Sequence, residues 1–212
     1  MGLAMHASGV MSHLLESSSI KHKLFTLCFT PTGGFMSVGF PLSNPSRASY
    51  TPLTKVKDGY FAVTLVDLLV DDISVANTDF ILSQFNKNRG VIFDSGTTDT
   101  YLPRSVGSNF RKAWERISGW PHDNQPHLLS KKQFEYLPSL NFVFEGGATL
   151  SLHPSMYMEA DEKKFGQWTN RIYIEEPSGS ILGANAFLYH EIIFDEQALT
   201  LGFVPSDCNF IM

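Results

Sequence analysis

Residues 94–98, Asp-Ser-Gly-Thr-Thr, follow directly on the apolar run Val91-Ile92-Phe93 and lead into Asp99-Thr100-Tyr101-Leu102-Pro103. A carboxylate at the end of a β-branched, aromatic strand, backed by a small hydroxyl residue, a glycine and two threonines, is suited to chemistry more than to a solvated turn. Partial burial on a strand rim disfavours an acid's charged form, while hydroxyl and N–H donors stabilise the anion and fix its orientation. Thr97, three residues beyond Asp94, is placed to return its hydroxyl to the outer carboxylate oxygen. Gly96 leaves space for a second backbone or a substrate. One such acid alone is a weak catalyst; two that face each other share a proton, so that one activates water while the other protonates a carbonyl oxygen.

Further landmarks lie on both sides of this stretch. Residues 24–29 (Leu-Phe-Thr-Leu-Cys-Phe) precede a glycine hairpin and strand at 33–39, and Tyr50-Thr51-Pro52-Leu53 follows. Downstream come residues 137–144 (Leu-Pro-Ser-Leu-Asn-Phe-Val-Phe) with Gly146-Gly147, then Ser180-Ile181-Leu182-Gly183, Phe194-Asp195, Leu201-Gly202-Phe203 and Cys208. In this order they resemble the pepsin-like aspartic proteases, with Asp94-Ser95-Gly96-Thr97-Thr98 similar to the family's second catalytic motif and Ile181-Leu182-Gly183 to the segment facing the catalytic loop.

The resemblance implies an all-β, mostly antiparallel fold with a few short helices, a pepsin-like lobe incomplete at its N-terminus. Residues 1–49 would be the end of the N-terminal lobe and the interlobe segment, and residues 50–212 the C-terminal catalytic lobe. Asp94 would be the second member of an aspartate dyad. Ser95 would brace the active-site loop against its counterpart in the other lobe, Gly96 would lie along the substrate backbone, Thr97 would bond Asp94, and Thr98 would line the cleft. The implied activity is endopeptidic hydrolysis of protein or peptide substrates by a water held between two carboxylates, with no cofactor and no metal.

Gly2-Leu3-Ala4 resembles the end of the strand that closes the first lobe, so most of that lobe, its aspartate and its flap tyrosine have no counterpart here. Asp-[Ser/Thr]-Gly-[Ser/Thr] occurs once in the 212 residues. The expectation is therefore about half of a protease, whose partner would be the missing N-terminal lobe. The alternatives are an inactive protein that keeps the cleft as a binding or inhibitory surface, and a homodimer that brings two copies of Asp94 together.

Composition agrees with packed sheets. Hydrophobic residues make up 43% of the chain and charged residues only 17%, with 17 phenylalanines and 7 tyrosines, enough for a sizeable core and too apolar for disorder. A net charge of −5 gives no basic footprint for nucleic acid. The best apolar stretch, residues 61–70, is too short to span a membrane and contains Asp67. Residues 1–15 lack a basic start, and His6, Ser8, Gly9, Ser12 and His13 interrupt their apolar positions, so no signal peptide is visible; it is expected upstream.

The two cysteines admit two readings: buried reduced thiols, or a bridge. The family resemblance favours a Cys28–Cys208 bridge, which closes almost the whole chain. It would constrain the unfolded state by about 5 kcal/mol on the chain-entropy model and would imply an oxidising, secreted or endomembrane and lysosome-like compartment.

Apolar spacing predicts a short helix within residues 11–23, a strand at 24–29, a turn at 30–34, a strand at 35–40 and a linker at 41–49. Continuous alternation from Tyr60 to Val70 predicts one long strand buried on both faces, turning at Asp71-Asp72. Val106, Phe110, Ala113, Trp114 and Ile117 predict a helix over 105–117, with Ser105 as its cap and Trp114 in the core. His122 and His127 fall in a polar loop and are expected in solvent. Short strands are predicted at 139–145, 148–153, 171–175, 180–183, 190–195 and 199–203. Asp195 repeats the Phe-Asp pattern without the Ser-Gly pair and reads as a turn acid. No Gly-x-Ser-x-Gly, His-Glu-x-x-His or Walker sequence occurs, so serine hydrolase, zinc protease and P-loop chemistry lack their starting residues.

Overall fold

The computed structural model describes residues 3–54 and 59–209. In chain order its elements are α1 (Val10–Glu16), β1 (Leu24–Thr30), β2 (Gly33–Val38), β3 (Ser49–Pro52), β4 (Ala62–Val63), β5 (Leu65–Val70), β6 (Ile73–Ser74) and α2 (Asp79–Phe85). Then follow β7 (Val91–Phe93), β8 (Thr100–Pro103), α3 (Gly107–Ser118), β9 (His127–Leu128), α4 (Lys131–Glu135), β10 (Leu140–Phe144), β11 (Thr149–Leu152) and α5 (Pro154–Tyr157). The chain closes with β12 (Met158–Ala160), β13 (Gln167–Asn170), β14 (Ile172–Glu176), β15 (Ser180–Leu182), β16 (His190–Asp195) and β17 (Thr200–Pro205).

These strands form four sheets, ordered β2-β1-β16-β17-β3, β11-β10-β5-β6, β12-β13-β9 and β14-β8-β15-β7-β4. Pairing is antiparallel except for β14 with β8 and β15 with β7. The first sheet joins residues from both ends of the chain. Glu191 of β16 fastens the segment before β3: its buried carboxylate accepts the N–H groups of Leu42 (2.8 Å) and Ser43 (2.7 Å).

Phenylalanines knit the sheets together. Phe25 of β1 stacks on Phe194 of β16 with ring centroids 4.6 Å apart, and Phe61 meets Phe194 edge-on at 4.8 Å. Phe93, at the end of β7, packs on Phe203 (5.4 Å), Phe144 (5.9 Å) and Phe187 (6.1 Å), one from each neighbouring segment. Burial of each such ring removes roughly 150–250 Å² of largely apolar surface from water, so this residue is a firm anchor for whatever follows it in the chain. Cys28 and Cys208 form a disulfide with Cα atoms 5.5 Å apart, tying β1 to the stretch after β17.

Several expectations need correction. The first helix ends at Glu16, because Ser17-Ser18-Ser19 leaves the helical conformation, with Ser18 left-handed (φ 58°) and the Ser17 hydroxyl turned back to Leu14 O; such serines compete locally for backbone groups. The strand expected at 35–40 begins in the glycine pair and ends at Val38. The single long strand over 60–70 is two strands in different sheets, broken at Thr64. The Asn86 side chain supplies the reason: its amide accepts the Leu65 N–H and donates to the Leu65 carbonyl, both at 2.8 Å, replacing a strand partner there. Nor is β5 buried on both faces, since Val66 is exposed.

Ser105 does not cap the long helix; it lies within a 3-10 turn, Arg104–Val106, that leads into α3, which ends at left-handed Gly119 (φ 80°). Helices α2, α4 and α5 and the β12–β13 hairpin are additions to the expected set. The expectation that His122 is in solvent is wrong: its ring is buried edge-on against Phe110 and Trp114, each at 5.0 Å. Asp195 is a turn acid, accepting the N–H groups of Gln197 and Ala198.

Candidate active site

The acidic loop, residues 94–99, owes its shape to an intruding strand. Strands β7 and β8 flank the loop but do not pair with each other, because β15 lies between them, parallel to β7 and antiparallel to β8. The loop must therefore arch over the end of β15. Leu182 pairs with Phe93, and the Asp94 N–H donates to Leu182 O at 3.0 Å. Beyond that bond, Ala184 N–H donates to Thr97 O (2.7 Å) and Asn185 N–H to Thr98 O (3.1 Å).

Gly183 lies under this arch. A Cβ there would come within 2.1 Å of Asp99 O and 2.6 Å of Thr97 O, so only a residue without a side chain fits. The Ile-Leu-Gly stretch thus contributes backbone donors and clearance rather than a functional group.

Within the loop, both oxygens of Asp94 have donors. The Gly96 N–H reaches Oδ1 at 3.0 Å and the Thr97 hydroxyl reaches Oδ2 at 2.8 Å. Hydrogen bonds to an ionised acceptor are about twice as strong as neutral ones, so the carboxylate is fixed in plane. Asp94 and Thr97 are half-buried, whereas Ser95, Gly96 and Thr98 are exposed. The carboxylate is thus held from within its own loop and remains open to an approaching molecule.

A second polar group braces the loop from behind. Asp99 is buried and accepts Arg171 Nε at 3.1 Å, and the same guanidinium meets Glu159 at 3.2 Å. Burial raises the Asp99 pKa above the ordinary carboxylate value, with Arg171 pulling in the opposite direction. The Thr100 hydroxyl donates to Asn185 Oδ1 at 2.8 Å, and Asn185 Nδ2 donates to Arg171 O. Gly183 lies in the Ile-Leu-Gly segment expected to face the loop, whereas nothing in the sequence marks Asp99, Arg171 and Asn185 as positioning residues. An acid followed at once by a strand signals a need for a cation, but nothing local identifies which of the 16 lysines and arginines supplies it.

Among the described residues, no group of three or more histidine, cysteine, aspartate or glutamate side chains could hold a metal ion. No helix among them is long and apolar enough to cross a membrane.

Comparisons with known proteins bear on this geometry. Residues 2–206 match the model of the family described as eukaryotic aspartyl protease. Aspartic proteinase 39 of Arabidopsis thaliana is 23% identical over 220 residues, covering 99% of this chain and 45% of its own length. Aspartic proteinase nepenthesin-2 of Nepenthes gracilis is 23% identical over 209 residues, covering 87% of this chain and 45% of its own length. The chain therefore spans less than half the length of these curated relatives. Among solved structures, basic 7S globulin from soybean superposes with a TM-score of 0.75 at 20% identity, over 97% of this chain and 58% of that one. The pepsin-like fold is shared with it.

Proposed function

Since this chain belongs to the eukaryotic aspartyl protease family, we propose that it is the C-terminal half of an aspartic endopeptidase, with Asp94 as the second of two catalytic aspartates. The observation that carries this reading is the Asp94 carboxylate itself, oriented by Gly96 and Thr97 and anchored through Phe93. A structural acid in a turn has no need of an arch over a third strand.

In this reading a first aspartate, from the preceding lobe, faces Asp94 across a water. One carboxylate takes a proton from the water as its oxygen attacks the peptide carbonyl carbon, and the other gives its proton to the carbonyl oxygen. Collapse of the tetrahedral intermediate breaks the C–N bond, with a proton passing to the departing amine. The pair works with one shared proton and titrates as a unit, which favours acid pH. Residues 50–212 are the catalytic lobe and residues 1–49 the end of the other lobe with its connection. Ser95 braces the loop against its counterpart, Gly96 lies along the substrate backbone, and Thr98 lines the cleft. The Cys28–Cys208 bridge suits a secreted or endomembrane compartment.

A second reading, a binding protein that does not hydrolyse its ligand, is favoured by the single Asp-Ser-Gly-Thr in the sequence and by the likeness in fold to a protein named as a globulin.

The test is hydrolysis of a denatured protein at acid pH by this chain and by Asp94→Asn, each with and without pepstatin. Activity abolished by both supports the peptidase and implies a second carboxylate from another copy. Activity that survives Asp94→Asn removes Asp94 from the mechanism. With no activity from the chain alone, the same assay after reconstitution with the N-terminal half of aspartic proteinase 39 separates a half-enzyme from a binding protein.

A further inference from the structure

Next to the acidic loop opens a pocket of about 930 Å³, edged by Thr98 and Asp99 and within the size range of ligand sites. Its apolar lining comes from Phe29, Phe134, Met156, Met158, Trp168 and Leu188. Phe134 and Trp168 stand with ring centroids 4.4 Å apart, giving one aromatic wall. The thioethers of Met156 and Met158 in the same lining are soft and adjust to the shape of an occupant.

The charged lining has one sign. Asp99, Glu159 and Glu162 border the pocket, and among the described residues no lysine, arginine or histidine does. Arg171 pairs with Asp99 and Glu159, so one positive charge is shared between two of the three carboxylates and Glu162 has no part of it. An acidic ligand would be repelled. A purely apolar one would press against carboxylates that it cannot pair. An occupant with a slender apolar stem and a planar cationic head satisfies both linings, because a guanidinium can stack on an indole while its edge bonds a carboxylate.

We propose that this pocket receives an arginine side chain from an extended peptide lying along the acidic loop, the stem between Met158 and Trp168 and the guanidinium on Glu159 and Glu162. The peptide's path along the loop rests on the peptidase reading above; the pocket's charge and lining do not. If peptides are cleaved here, this contact selects substrates bearing a basic residue at one fixed distance from the broken bond.

Calorimetric titration of the whole chain with a capped, otherwise alanine and leucine hexapeptide carrying one central arginine tests the proposal. Counterparts with norleucine or glutamate at that place are the comparison. The arginine peptide should bind about tenfold or more tighter than the norleucine one, one good charge-assisted contact's worth, and the glutamate peptide should bind more weakly than either. In Glu159→Gln/Glu162→Gln the arginine preference should disappear. Ala160→Lys, an exposed lining position, should abolish binding of the arginine peptide by placing a cation in the pocket. Equal binding of arginine and norleucine peptides, a preference that survives the double substitution, or no binding of any peptide would overturn it. Calorimetry reads binding without cleavage: selective binding with no hydrolysis even after reconstitution with an N-terminal half keeps the pocket and removes the peptidase, and hydrolysis without arginine preference does the reverse.

Discussion

The Asp94 N–H donates to the carbonyl of Leu182 at 3.0 Å, and this one bond joins the acidic loop to the strand that splits its two arms. What lies immediately beyond Leu182 is consequently as constrained as the loop itself.

Gly183→Ala should be severely disruptive. The new methyl meets backbone oxygens of Asp99 and Thr97 at 2.1 and 2.6 Å, and backbone cannot be relieved by a rotamer change. A loss of about 3 kcal/mol, the upper end for overpacked sites, is expected in urea denaturation. Gly33→Ala, where a Cβ would meet nothing within 4 Å, should stay within about 1 kcal/mol of wild type.

Glu191→Gln should loosen the segment before β3. The carboxylate accepts two N–H groups, and an amide can offer an oxygen to only one of them while turning its NH2 toward the other. A loss of about 1.5–3 kcal/mol is expected for a buried hydrogen bond to a charged group. Amide hydrogen exchange should accelerate at Leu42 and Ser43 before it does elsewhere in the sheet.

His122 should make the fold sensitive to acid. Burial, with Arg111 adding, holds its folded pKa down to about 4 against 6.5 when free. Above pH 6.5 both folded and unfolded chains carry a neutral ring, and stability is unaffected. As pH falls from there toward 4, the unfolded chain takes up the proton first, so stability is lost by about 3 kcal/mol through that window. His122→Phe, which removes the titration, should flatten the dependence of the urea midpoint on pH between those limits.

Reduction of the Cys28–Cys208 bond, or Cys28→Ala with Cys208→Ala, should lower stability by as much as about 5 kcal/mol, the chain-entropy value for a loop of this length. Matched urea curves with and without reductant measure it. A loss under about 1 kcal/mol would mean that the closed loop retains compact structure when unfolded.

Short-range signals carried much of this architecture. Aromatic and β-branched runs marked β7, β10, β15, β16 and β17 within a residue or two, and the spacing of Phe110, Ala113 and Trp114 marked α3. The contact from Thr97 to Asp94 was legible because a hydroxyl three residues on is within local reach. Long-range substitutions for local partners were not. Asn86 interrupts an unbroken alternation from a distance of 21 residues, and His122 is polar by type yet is sealed in by an indole and a phenyl ring on α3. The cation beside Asp99 comes from a residue 72 positions away, and the acids of the pocket gather from separate strands and turns. Such neighbours are decided by topology, and the topology here turns on a strand inserted between two others.

That insertion also fixes an order of events. Phe93 meets its partner Leu182 across nearly half the chain, so the arch cannot take shape while the polypeptide is still short. During synthesis the strands β5, β7 and β8 leave the ribosome long before β15, and non-local pairing of this kind closes slowly. The donors on the Asp94 carboxylate come from its own loop, but the arch that carries that loop closes only once β15 has followed β7 and β8 out of the ribosome.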